Sequence, residues 1–490
     1  MPKEVRRALG PIRRASALLN DSFRSLRLLM VDQLQEANFT GQFDGDEVPE
    51  LSGGWPILGH LREFQRDPVS MLLRGCQEHG DLFRFRIGPA EFVLFSGLEA
   101  HETYFKAPDD QLDANSVYQF TVPIFGRGVA YDVAPEIMTE QLGFLFPALR
   151  ESAMRSYVAI MYDEARVFAD RMGSEGSLDL PVAMNELTVN IASRCFLGEE
   201  IRREVDAEFA EAYHELQNGI NTIGFFFPRI PIPSHRRRDQ ARKKITEIFT
   251  RVLTDQEPVE TESESFMQTL VKARYKDGRE LTVDEITGIT LTALFAGQHT
   301  SAILATWTGL ELARDEKYLN RIRREMGEIY EKDSNLSLEG LRQQPVLENA
   351  VRECERLHPP LILLIRKVMR PLKYRNMVVP TNTMAVVSPA VSHRLEHLFS
   401  ESGQFRPDRF TSPTNEDTQA LIGFGGGKHR CMGKNFAILQ IKAIWNVLLD
   451  RFEIELNAPF PAPNYGSWVT GPKAPCLLRY RKRTQPTVFH

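Results

Sequence analysis

The residues of this 490-residue chain best suited to metal chemistry lie in one short run, Phe424-Gly-Gly-Gly-Lys-His-Arg-Cys431-Met-Gly433. Three consecutive glycines let backbone come close to a flat ligand, and a basic patch follows them. One thiol then stands directly before an apolar-periodic stretch that predicts a helix from Lys434 to about Leu449. At such a position the helix dipole and the free amides of the first turn favour a thiolate, the form in which cysteine binds metal. No second Cys or His stands nearby at metal-ligand spacing, which argues against zinc or an iron–sulfur cluster. A single soft thiolate suits the axial position of haem iron.

Two further groups carry chemistry. Ala296-Gly297-Gln298-His299-Thr300-Ser301 is the most polar patch on an otherwise apolar helical stretch. A lone histidine there is more often a satisfied structural residue than a proton shuttle, so the residues alone leave both readings open. Glu353 and Arg356 share one helix face at i, i+3. Exposed, such a pair contributes under about 1 kcal/mol.

With these residues in view, Phe424-x-x-Gly427-x-His429-x-Cys431-x-Gly433 resembles the haem-binding loop of the cytochromes P-450. Glu353-x-x-Arg356, followed by Leu357-His358-Pro359-Pro360 and by Arg409 in Phe405-Arg-Pro-Asp-Arg409-Phe, resembles that family's Glu-Arg-Arg triad. The resemblance gives Glu353, Arg356 and Arg409 a structural role around haem. Ala-Gly-Gln-His-Thr-Ser is similar to the segment found in the sterol 14-alpha demethylases, and so are 118–132 and 357–366. By that likeness the cofactor is haem b, iron protoporphyrin IX with Cys431 as its metal ligand. Thr300 and His299 would supply the protons that dioxygen cleavage needs. Small Ala296 and Gly297 would let haem and dioxygen approach, and Phe424 would border the cofactor.

The same likeness has Tyr118, Tyr131, Arg366 and His429 hydrogen-bond the haem propionates, since a buried unpaired carboxylate is very costly. Phe120, Phe125, Ala296, Leu361 and Val469 would line a sterol site. One departure stands out. Animal members carry a lysine where this chain has Leu142, and 128–149 contains no Lys or Arg. Gln141 or a shifted register is the expected substitute.

These residues need elements to hold them. Thr282-Val-Asp-Glu285 reads as a capping box, stapled by Leu281 and Ile286, that opens a helix of about 30 residues and roughly 45 Å. Helical periodicities also occupy roughly 138–175, 186–222, 236–255, 317–330 and 345–357, while 81–87 and 91–95 read as a β-hairpin. The fold class expected is mainly α with a minor sheet, the P-450 fold, with haem between the long central helix and the Cys-loop helix. Residues 1–48 read as an N-terminal extension and 49–490 as one haem-thiolate domain, entered through the turn-rich 49–59. The stretch 225–233 is apolar but broken by three prolines; in the family it roofs the substrate channel. Acidic 255–264 reads as a solvated loop.

Composition narrows the class. A net charge of −5 spread along the chain gives no footprint for nucleic acid. Five scattered cysteines fit a reducing compartment without a disulfide framework. No run of 18 apolar residues exists, so no transmembrane helix is expected, which points to a bacterial-type, cytoplasmic, monomeric enzyme. The basic, Leu-rich start is either an amphipathic helix lying peripherally on a membrane or a helix packed on the protein. Electrons are expected from a ferredoxin or flavodoxin with its reductase, docking at Lys428, Arg430, Lys434 and Lys442. The resemblance implies 14-alpha demethylation of a sterol-sized apolar substrate. A related enzyme hydroxylating another steroid, terpenoid or fatty acid is the alternative. A haem-thiolate binding or sensing protein, or an isomerase, is a reading of another class, against which Thr300 and His299 count.

Overall fold

The computed structural model describes residues 45–219, 228–255, 266–331, 337–467 and 469–484. The expected amphipathic start, residues 225–227 of the proline-broken roof and all of the acidic loop but Asp255 fall outside them. In chain order, β1 (Leu82–Ile87) and β2 (Ala90–Phe95) form the expected hairpin, and α1 (Leu98–Lys106) and β3 (Leu112–Asp113) follow. Then come α2 (Pro135–Gly143), α3 (Glu151–Arg171), α4 (Leu180–Leu197), α5 (Glu199–Asn218), α6 (Pro233–Asp255) and the central α7 (Val283–Leu312). After α8 (Glu316–Tyr330) and α9 (Pro345–Leu357), strands β4 (Leu364–Val368) and β5 (Met384–Val387) return to the sheet, and α10 (Lys434–Arg451) leaves the cysteine loop.

The two longest expected helices are each divided. A run expected over 138–175 breaks between Gly143 and Glu151, where Pro147 interrupts the amide ladder. The run expected over 186–222 breaks at Gly198, whose φ of 90° only glycine adopts freely. Periodicity survives both breaks because both halves face the same core.

The sheet runs β1-β2-β5-β4-β3, and only the β2–β5 pair is parallel. Its register puts Leu82 opposite Phe95 and Phe83 opposite Leu94. Leu82, Val93, Phe95, Ala385 and Val387 therefore enter one core, and Phe83, Leu94, Ile365 and Val386 another. Covered on both faces, the sheet is a rigid edge from which β4 projects Arg366.

The remaining, larger core is helical, and α7 runs through it. Its capping box is present: Thr282 Oγ1 accepts from the Glu285 amide, and the Glu285 carboxylate accepts from Thr282 N at 2.8 Å. A helix buried on every side must satisfy its own polar groups. Thr287, Thr290, Thr306 and Thr308 do so by donating to the carbonyl one turn back.

Candidate active site around Cys431

The cysteine loop is shaped by its own backbone. The Cys431 amide donates to the Phe424 carbonyl at 2.9 Å, closing the loop, while Gly425 and Gly427 take φ of 70° and 60°. Two of the glycines have a packing reason as well. A Cβ on Gly426 or Gly427 would strike Phe105 of α1, at 2.8 Å from its ring and 2.3 Å from its carbonyl. These two glycines thus seat the loop against α1. The Phe424 ring rests on the helical core beneath Lys434 Nζ, 5.2 Å from the ring centre.

Cys431 has open side-chain surface, yet protein closes around it strongly enough for burial to push its thiol pKa up. The open surface therefore belongs to an internal hollow. Against burial work the Gly433 and Lys434 amides of the α10 first turn, which favour the thiolate. A cation bound at the sulfur completes what those amides begin.

Behind the loop stands α9. Arg356 donates to both Glu353 oxygens at 2.9 and 2.8 Å, and Arg409 Nε lies 3.0 to 3.1 Å from the same two atoms. Arg356 also reaches the carbonyls of His393, Ser402 and Gln404. Sequence reasoning missed the next link. His393 is fully buried; its Nδ1 faces the Arg356 carbonyl at 3.0 Å and its Nε2 accepts from the Ile422 amide at 2.9 Å. It is therefore neutral, as burial dictates, and it joins the triad helix to the cysteine loop. Glu355 was also missed. It lies under Gly423 of the cysteine loop, and burial raises its pKa to about 7 against the opposing pull of Lys434, Arg352 and the Phe424 amide.

A second opening lies on α7. α7 and α10 touch where the Trp445 indole donates to the Ala305 carbonyl at 3.0 Å and where a Cβ on Gly309 would meet Trp445. Away from that contact, Ala296 and His299 are exposed and Gly297 and Thr300 half-buried, in a helix otherwise nearly enclosed. Burial lowers the His299 pKa although its side chain has open surface, so this opening too faces an internal hollow. Thr300 Oγ1 donates to the Ala296 carbonyl at 2.7 Å, which leaves its lone pairs turned outward from that bond. Gln298 is buried in an amide network that the sequence did not reveal. It donates to Asn185 of α4 at 2.5 Å and accepts from Gln217 of α5 at 2.7 Å, pinning the polar turn on the opposite side.

Tyr118, Tyr131 and Arg366 come together. The two rings stack 4.8 Å apart, and the Arg366 charge acts on both phenols. Arg366 is buried, lies 4.7 Å over the Tyr104 ring and donates to a carbonyl at 3.3 Å. No ion pair reaches it among the described residues. A buried guanidinium without a counter-ion is costly. Beside two phenols it fits a carboxylate-bearing ligand such as haem. His429 stands apart from this trio, with its Nε2 2.6 Å from Asp109.

Phe120 is buried, and half-buried Phe125 meets Phe295 of α7 edge-on at 6.0 Å, beside the polar turn. Leu361 and Val469 are half-buried on neighbouring segments, which the Thr470 amide joins by donating to the Pro360 carbonyl. Two expectations are overturned. Gln141 does not stand in for a missing cation: it is buried and spent on Ala130 N, Gly128 O and the Tyr275 hydroxyl. Lys442 cannot belong to a docking surface, because it is buried against Glu348 at 3.1 Å.

A thiolate at a helix start, a triad-locked loop and a long helix with a polar turn across a hollow define a haem-thiolate oxygenase fold. The Cytochrome P450 family model matches residues 49–475, and the chain belongs to that family. Haem with an axial cysteine thiolate and monooxygenase chemistry go with it. More particularly, the chain is 35% identical over 477 residues to a sterol 14-demethylase of Arabidopsis thaliana, covering 95% of this chain and 98% of that one. It is 36% identical to the sterol 14alpha-demethylase of Mycobacterium tuberculosis, over 89% of this chain and 98% of the relative. A lanosterol 14-alpha demethylase of Rattus norvegicus is 34% identical, over 89% of this chain and 88% of the other. Among solved structures, the retinoic acid-bound cyanobacterial CYP120A1 superposes with a TM-score of 0.77 at 21% identity, covering 89% of this chain and all of that one. This last likeness is one of fold. Among the described residues no helix is long and apolar enough to cross a membrane.

Proposed function

We propose that this monooxygenase removes the 14-alpha methyl group of a sterol in three successive oxygenations, through alcohol and aldehyde to formate and a ring double bond. Each oxygenation consumes one dioxygen, two electrons and two protons and releases water. The observation that carries this reading is the similarity, at 34–36% identity over most of the chain, to relatives from plants, bacteria and animals named for that reaction.

Haem, held by Cys431, supplies the oxidising centre. Around it Tyr118, Tyr131, Arg366 and His429 bind carboxylates, and Phe424 backs the loop. Glu353, Arg356 and Arg409 keep the loop in place. His299 accepts a proton from solvent and passes it to the Thr300 hydroxyl, beside Ala296 and Gly297. Phe120, Phe125, Leu361 and Val469 exclude water and orient an apolar ring system. Electrons come from a ferredoxin or flavodoxin with its reductase. The protein acts as a cytoplasmic monomer touching membrane peripherally, for which exposed Trp55, Ile57 and Leu58 offer an apolar tip behind the basic N-terminal segment.

Hydroxylation of another steroid, terpenoid or fatty acid is the second reading, favoured by the want of any cation in 128–149. Incubation with lanosterol or obtusifoliol, dioxygen and a surrogate redox pair separates the two. Formate in step with a 14-demethylated product is expected. A hydroxylated product without formate contradicts demethylation.

A further inference from the structure

Haem b carries two carboxylates. Arg366 with Tyr118 and Tyr131 can hold one, and the other needs its own positive partner. The helix α2 offers none, since Thr139, Leu142 and Met138 present no charge to the pocket they line. The same pocket is lined by Lys428, His429 and Met432 of the cysteine loop and by two carboxylates, Asp113, which is taken up by the Asn115 and Ser116 amides, and Asp109. Its two oxygens are divided between two side chains of the loop: Lys428 Nζ lies 2.6 Å from one and His429 Nε2 2.6 Å from the other. Asp109 is mostly covered, at 15% side-chain exposure, so it is a fixed post rather than a solvated surface charge. Burial acts to raise its pKa, but Lys428 and His429 outweigh that and hold it below the usual carboxylate range.

We propose that Asp109 is a positioning residue for haem: by gripping Lys428 and His429 it makes the cysteine loop, in place of α2, the source of positive charge for the second haem carboxylate. With Nε2 engaged by a carboxylate, the His429 ring is oriented and its Nδ1 is the nitrogen left to face another anion. Lys428 adds a charge on a flexible stem that can be shared between Asp109 and the cofactor. This rests on the haem-binding reading above.

The test is the rate at which the haem-loaded full chain surrenders haem to excess apomyoglobin, followed by absorbance. Asp109→Asn is expected to release haem about tenfold faster, the effect usual for a lost supporting partner. Lys428→Met, on an exposed side chain whose loss leaves folding intact, is expected to accelerate release to a smaller degree. Leu142→Lys, which restores a cation from the α2 wall, is expected to slow release in the Asp109→Asn background and in Lys428→Met. A purely structural role for Asp109 predicts no such rescue. Unchanged release in both Asp109→Asn and Lys428→Met, or accelerated release that Leu142→Lys leaves untouched, overturns the proposal. Should Asp109→Asn fail to fold, Lys428→Met with and without Leu142→Lys decides alone. A wild-type chain that takes up no haem would sink the haem reading itself, a result distinct from these.

Discussion

At the residue scale, chemistry falls to a few side chains whose surroundings set their protonation. His299 has its pKa lowered by burial, so it is neutral at pH 7 and its protonated fraction grows as pH falls. If it feeds protons to Thr300, substrate oxidation per electron pair rises as pH drops from about 8 toward about 6. His299→Ala should flatten that profile and slow the reaction by about 10²-fold, as product and oxidant consumption measured across pH would reveal. Glu355 behaves in the opposite sense. An unfolded glutamate titrates near about 4.3, whereas in the fold its carboxyl stays protonated to about 7. Between those values the folded state holds a proton that the unfolded state has lost, so stability falls as pH rises. Glu355→Gln should therefore gain on the wild type by up to ~3 kcal/mol at pH 8 and by little at pH 4.5, a difference that denaturant melts at the two pH values resolve. Cys431, Thr300, Glu353 and Arg356 were legible in the sequence because each belongs to a short local pattern. Asp109 and His393 were not. Asp109 meets its partners across some three hundred residues, and His393 is read only from two backbone groups that no pattern marks.

At the scale of elements, the site depends on how α9 and the cysteine loop are tied. The Glu353–Arg356 pair is fully buried, and every oxygen and nitrogen that matters is shared with Arg409 or with carbonyls beyond the helix. Removing one partner strands a buried charge, so Arg356→Ala should cost about 3–5 kcal/mol and weaken haem retention. Chemical denaturation of the apo and loaded forms checks both. His393→Ala should loosen the loop through Ile422 with a smaller loss of stability. The boundaries of α7 were legible because its cap chemistry is local, and the structure places them within one residue of expectation. The divisions at Pro147 and Gly198 were misread because hydrophobic spacing continues through both, and the breaking residue is a single position inside a long regular pattern.

At the scale of the molecule, three cores organise the described residues. The two faces of the small sheet fix β4 and hence Arg366, and the helical core fixes α7 and α10, which touch at Trp445 and Ala305. Fold class was legible in the sequence because one strand-period hairpin is followed by long helical periods and because the short motifs resemble those of the family. The hollow was not, since it is made by what two distant helices leave uncovered. The central claim is that this hollow holds haem with Cys431 as the axial thiolate. The most direct measurement is the carbon monoxide difference spectrum of the reduced protein beside that of Cys431→Ser. The account predicts a thiolate-type band in the wild type and its loss in the variant. A wild-type spectrum of the nitrogen-ligated kind, or a variant that keeps the wild-type band, would contradict it.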